Sequence, residues 1–297
     1  MSNKWGIFVL MAGLLLECSG TTGKFTYTGD IHSGKWMRDL KVPYTYGGKD
    51  YTGSLQIYFP RAYKKGERLR TLIVLHGYKG AMRDWETNTA IEKLADEYNF
   101  ILVCPNMGAT LYESAFYPET KVKWGAMPGG EYVSEVLVNF LRNTFALATN
   151  KKLTGIMGNS TGARGALLMA SKHPDIFGAA AGFSGDYDPL SMTRDRLTAS
   201  VYGDYKEFKD RWENDDNIMK LAVNLEDIPV FLAHGAKDYI VPKEQSMLLA
   251  MKLKQLQKQK GKYSVVYKEV HYGVHDWRFW KKILPDGMEF LANNLGR

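Results

Sequence analysis

The chain has 297 residues, of which 45% are hydrophobic and 24% charged, a balance that supports a sizeable buried core and argues against disorder. Its formal net charge of +7 comes from dispersed lysines and arginines, and the densest basic run, Lys252 to Lys262, has no interleaved aromatics, so no nucleic-acid partner is expected. With only two cysteines, Cys18 and Cys104, stability must come from the core rather than from disulfides, and Cys104 within "FILVCPN" reads as a buried strand residue.

Residues 1–20 carry Lys4, then an apolar stretch from Gly6 to Leu16, then small residues, the layout of a secretory signal segment and too short to span a bilayer comfortably. Export to a periplasmic, cell-surface or extracellular location is expected. Cys18 follows Leu15, Leu16 and Glu17 and resembles a bacterial lipoprotein lipobox, with Glu17 where that motif takes a small residue. Both outcomes stay open: lipidation at Cys18, which would be the one membrane contact, and removal with the leader. Loss of the leader subtracts Lys4 and Glu17 together and leaves the charge at +7.

A single domain is expected over residues 21–297. Thr21 to Gly53 is rich in Gly, Thr, Tyr and Lys, and "SLQIYFP" then alternates as a half-buried strand does. "TLIVLHG" reads as a buried strand, "NTAIEKLADEYN" as a helix and "FILVCPN" as a second buried strand. "EYVSEVLVNFLRNTF" has helical spacing at Val133, Val136, Leu137, Phe140 and Leu141. "KLTGIMG", "TGARGALLMASKHP" and "GAAAGFSG" continue as strand, helix, strand. Asp186 to Asp227, within 186–227, is polar and dotted with aromatics, and reads as a short lid-like insertion beside the site. "IPVFLAHG", "KEQSMLLAMKLKQLQ", "YSVVYKEV" and a last helix within Trp277 to Asn294 complete an α/β alternation. That order implies a mostly parallel central sheet with helices on both faces.

Gly158-Asn159-Ser160-Thr161-Gly162 matches the G-x-S-x-G elbow, and it stands between a predicted strand and a predicted helix, as that motif requires. The turn is sharp and strained, and only small neighbours let strand and helix approach there. It would expose the Ser160 hydroxyl near a helix amino end, which favours negative charge. A serine hydroxyl needs a base to take its proton, and the base needs an acid to orient it. Downstream, in the required order, "FLAHGAKDYIVP" offers Asp238 and "VHYGVHDWRFW" offers His275, each just beyond a strand end, where open α/β sheets bind ligands.

Taken together, "LHGYKG" (75–80), "GNSTGARGALLMASKHPDIFGAAAGFSG" (158–185), "HGAKDYIVP" (234–242) and "GVHDW" (273–277) resemble the α/β-hydrolase fold of the esterase D and feruloyl esterase type, a group that includes mycolyltransferases. The resemblance runs over roughly residues 50 to 294. It implies Ser160 as nucleophile, His275 as base and Asp238 as acid, and an oxyanion hole made of the backbone N–H groups of Tyr78 and Thr161. It also implies no cofactor. Where the family more often has Ser-Met-Gly-Gly, this chain has Ser160-Thr161-Gly162-Ala163 and then Arg164, which is expected to pair structurally with a buried carboxylate.

Asp186 and Asp188 also follow a predicted strand but in the less usual position for the acid. His271 is expected to be a packed strand residue, His76 and His234 to shape loops through hydrogen bonds, and Trp277 and Trp280 to pack the last helix; His32 and His173 carry no signal. The histidines have no metal-ligand spacing, and no phosphate-cradling or dinucleotide motif appears, so no metal is expected. The expectation is therefore an exported serine esterase acting on short-acyl, acetyl or feruloyl esters, with a polysaccharide-linked ester as its partner. An acyltransferase of the same fold and an inactive surface-binding homologue are the rivals; a serine peptidase is disfavoured, as the large extra domain common in such peptidases is not seen. Acyl length, alcohol and oligomeric state are not set by the sequence.

Overall fold

The computed structural model describes residues 30–296, so the expected leader and Cys18 lie outside the described residues. Eight strands, β1 (Trp36–Tyr46), β2 (Lys49–Tyr58), β3 (Arg70–Leu75), β4 (Phe100–Pro105), β5 (Thr154–Asn159), β6 (Ala179–Phe183), β7 (Val230–Gly235) and β8 (Val265–Val270), form one sheet in the order β1-β2-β4-β3-β5-β6-β7-β8. β1 pairs antiparallel with β2, and β2 antiparallel with β4. From β4 to β8 every pairing is parallel, with registers such as Leu72↔Gly155 and Ala180↔Val230. This is the α/β-hydrolase fold.

The inner parallel strands, β3 to β7, are buried almost throughout because both faces of the sheet are covered there, whereas the edge strand β8 alternates between half-buried and exposed residues. In β3, Ile73 and Leu75 face one core and Leu72 and Val74 the other. The first core is closed by α3 (Val138–Phe145), α4 (Thr161–Lys172) and α6 (Glu244–Lys260), which contribute Leu141, Leu167 and Leu253. The second is closed by α2 (Ile91–Tyr98) and α7 (Trp277–Asn294), through Ala95, Leu284 and Met288. Two short helices, α1 (Asp84–Asn88) and α5 (Arg196–Tyr202), sit near the strand ends. The helix expected over 131–145 begins with a π-helical stretch, Tyr132–Leu137, before α3.

β1 is an element that the sequence pattern did not mark. It lies within the stretch noted only for its Gly, Thr, Tyr and Lys, and its register shifts between Met37 and Leu40, which interrupts the two-residue alternation. Cys104 is buried in β4, as expected, and that burial pushes its thiol pKa up.

β3 is flanked by β4 on one side and β5 on the other, and the chain crosses over it between them. Ligands in open α/β sheets bind at such a reversal, beyond the carboxyl ends of the strands. The loops that leave β3, β5, β7 and β8 at that rim carry Tyr78, Ser160, Asp238 and His275 respectively.

Candidate active site

Ser160 sits between β5 and α4 with φ 55° and ψ −126°, a left-handed backbone conformation that costs a non-glycine residue about 1–3 kcal/mol. Its surroundings hold it there: the Ser160 N–H donates to Phe183 O at 2.8 Å, and its own carbonyl accepts from Ala163 and Arg164. The glycines explain themselves sterically. A Cβ on Gly158 would lie 2.4 Å from the Gly162 carbonyl, and one on Gly162 would lie 2.6 Å from His76 O, so strand, helix and the β3 loop touch backbone to backbone.

Three side chains from distant parts of the chain meet in one row. His275 Nε2 lies 2.8 Å from Ser160 Oγ, and His275 Nδ1 lies 2.7 Å from Asp238 Oδ2. The Asp238 side chain is fully buried, and its Oδ1 accepts the N–H groups of Ile240 and Val241 at 3.0 and 2.9 Å. Burial pushes its carboxyl pKa up, but hydrogen bonds from His234 and His275 outweigh that and hold it well below the usual carboxylate range. The carboxylate therefore stays ionised and keeps the imidazole Nδ1 as a donor.

His234 does more than the loop shaping expected of it. It is completely buried; Nε2 lies 2.9 Å from Val241 O and 3.3 Å from the same Asp238 oxygen that His275 uses, while Nδ1 meets Ser246 Oγ at 2.7 Å. The H-G-x-x-D spacing was the signal for it, since a histidine four residues before the acid returns to it across a tight turn. His76 does shape a loop: Nδ1 donates to Gly77 O at 2.7 Å and Nε2 accepts the Met107 N–H at 2.8 Å. That pattern needs a neutral ring, in line with a pKa lowered by burial.

The loop after β3 is tied by Lys79 N–H to Gly108 O and by Gly80 N–H to Gly77 O, at 2.9 and 3.0 Å. The N–H groups of Tyr78 and Thr161 are not spent on any protein acceptor among the described residues. Both residues line the cleft that holds Ser160, a space of about 410 Å³. A larger hollow of about 650 Å³ lies at the opposite rim, by Thr71 and Thr154 at the amino ends of β3 and β5.

Several sequence expectations change here. Trp277 and Trp280 do pack, edge to face with rings 5.1 Å apart, but both also line the cleft, and Trp280 stands 5.2 Å edge-on from His275. Helical spacing alone gave no sign of this: α7 starts two residues after His275, behind its Asp276 cap, so its first turn lies at the cleft. His271 is not a packed strand residue: it lies in an exposed turn after β8, against the Tyr272 ring. Asp188 caps a 3-10 turn by accepting the Leu190 N–H, and Asp186 pairs with Arg164 at 3.1 Å, so neither is bonded to His275. Arg164 is buried as expected, with further bonds to the Tyr202 hydroxyl and Asp216 O, both at 3.1 Å.

The putative esterase family model matches residues 50–291. An acetyl esterase from Caldicellulosiruptor saccharolyticus is 27% identical over 241 residues, covering 76% of this chain and 84% of that enzyme. A feruloyl esterase B from Neurospora crassa is 28% identical over 115 residues, or 38% of each chain. Among solved structures, the substrate-bound fluorophosphonate-binding serine hydrolase F of Staphylococcus aureus matches with a TM-score of 0.68 at 16% identity, covering 88% of this chain and 100% of that one. MPT51 of Mycobacterium tuberculosis matches with a TM-score of 0.69 at 16% identity, covering 89% and 100%. At such identities these two structures speak for the fold alone.

Proposed function

Since the chain belongs to the putative esterase family and is a carboxylic ester hydrolase, we propose that it hydrolyses its ester through an acyl-enzyme on Ser160. His275 Nε2 takes the Ser160 proton as Oγ attacks the ester carbonyl, and the Asp238 carboxylate stabilises the resulting imidazolium. The N–H groups of Tyr78 and Thr161 receive the oxyanion, and each such donor is worth roughly 10²–10³ in rate. Collapse of the tetrahedral intermediate sends the proton from His275 to the departing alcohol. Water then enters, loses a proton to His275, attacks the acyl carbonyl and restores Ser160.

The hydrogen-bonded row Ser160–His275–Asp238, with spacings of 2.8 and 2.7 Å, carries this reading. Ser160→Ala is expected to abolish p-nitrophenyl acetate hydrolysis and labelling by a fluorophosphonate probe, with an unchanged circular dichroism spectrum. Turnover retained by that variant would remove Ser160 from the mechanism.

For substrate, we propose a short-acyl ester such as acetate, or a feruloyl ester, carried on carbohydrate. The likeness to an acetyl esterase over three quarters of the chain supports the acetyl form, and the shorter match to a feruloyl esterase supports the aromatic one. Parallel assays with acetyl, butyryl, longer acyl and feruloyl esters test it. Export of the chain after loss of residues 1–20 is part of the same proposal, and the intact mass of the protein recovered outside the cytoplasm checks it.

A further inference from the structure

The chain carries a net charge of +7, yet the cleft around Ser160 is walled by Asp84, Asp186 and Asp195 and by no lysine or arginine. Each carboxylate is anchored through one oxygen. Asp195 Oδ1 caps α5 by accepting the Thr198 N–H at 2.7 Å, and Asp84 Oδ2 accepts the Ala81 N–H at 3.1 Å. Asp186 Oδ2 meets the buried Arg164 at 3.1 Å. The other oxygens of Asp84 and Asp195 have no protein donor among the described residues. Asn159, 2% exposed and part of the same wall, has no donor for its Oδ1.

Such a wall is rich in acceptors and poor in anything that would balance a negative ligand. Half-buried carboxylates with a free oxygen gain when a ligand donates to them, and hydroxyl groups do so without bringing charge. A space of about 410 Å³ also keeps any bound group close to all three aspartates. Screening is weak there, since the Debye length is about 8 Å at physiological salt.

Resting on the Ser160 reading above, we propose that this cleft selects esters whose group beside the scissile bond is uncharged and hydroxyl-bearing, and excludes esters carrying a negative charge there. The substrate class is then an acylated neutral sugar or polyol rather than an acylated uronate. Asp195 and Asp84 act as specificity-determining residues. The Arg164 ion pair holds Asp186 from behind.

A matched pair of substrates tests this: an acetylated methyl glucoside and the same acetate on the methyl glucuronoside, which differ by a hydroxymethyl against a carboxylate. With the full chain, kcat/KM is expected to favour the neutral ester at least about tenfold, equivalent to about 1.4 kcal/mol. Asp195→Asn retains a capping side chain, because asparagine caps as well as aspartate, and should narrow that ratio about threefold, as should Asp84→Asn. Equal rates on the two sugar esters, turnover of neither, or a ratio that both variants leave unchanged would overturn the inference. Ser160-dependent hydrolysis of p-nitrophenyl acetate in the same preparation separates that failure from failure of the Ser160 reading, which its loss would signal.

Discussion

Asp238 is held by two imidazoles at once, His275 at 2.7 Å and His234 at 3.3 Å, both on Oδ2. Since its folded pKa is depressed, it adds stability that is fully present above the ordinary carboxylate value of about 3.9 and is lost as pH falls through the folded value. Urea denaturation at a series of pH values should therefore show wild type and Asp238→Asn differing by a constant amount near neutrality and converging in acid. The same variant should lose roughly 10⁴-fold in kcat, because an amide no longer enforces the imidazole tautomer. His234→Asn is expected to lower kcat by up to about 10²-fold with KM little changed, since the acid loses its second support and small misplacements are costly. Steady-state kinetics on one short-acyl ester decides both.

At the scale of elements, the elbow was legible because its constraints are local. Gly158, Ser160 and Gly162 lie within one turn, and the steric demand that selects glycine there acts between near neighbours and the adjacent β3 loop. Gly162→Ala would drive a Cβ to within 2.6 Å of backbone oxygen at His76, which cannot swing aside as a side chain would. It should cost about 1–3 kcal/mol of stability and pull the Tyr78 loop away from Ser160. Thermal unfolding together with fluorophosphonate labelling measures the two effects. β1 was not legible, because it is an edge strand whose bulge breaks the alternation on which strand reading depends. The second role of Trp277 and Trp280 escaped for a related reason: periodicity says which residues share a helix face, not what that face meets.

Across the whole molecule, a buried polar network ties the 186–227 segment to α4, the helix that follows Ser160. Asp216 accepts from Ser114 N–H and Oγ at 2.9 and 2.6 Å and from the Tyr202 hydroxyl at 2.7 Å, and it pairs with Lys172 at 2.8 Å. Burial pushes its carboxyl up, yet Lys172 and Arg164 outweigh that and hold it below its usual value. Because this segment supplies Asp186, Met192, Asp195 and Leu197 to the cleft, the network also sets the shape of the site. Asp216→Ala would leave Lys172, Ser114 and the Tyr202 hydroxyl without their carboxylate, at a cost of about 3–5 kcal/mol for a broken buried pair. Chemical denaturation should register the loss, and activity should fall through a misplaced cleft wall even where Ser160 still reacts with the probe.

The alternation of strands and helices from β2 onward, the elbow, and the residue types placed beyond three strand ends were determined by the sequence by itself, since apolar periodicity and small-residue crowding are local physical demands. Only the tertiary structure decided which acid His275 meets, that His234 backs it, and that three aspartates wall the cleft of a basic protein. Those are encounters between residues from distant parts of the chain, such as Asp84 and Asp195, and they depend on the crossover at β3 and on burial, neither of which leaves a mark in any short stretch of chain.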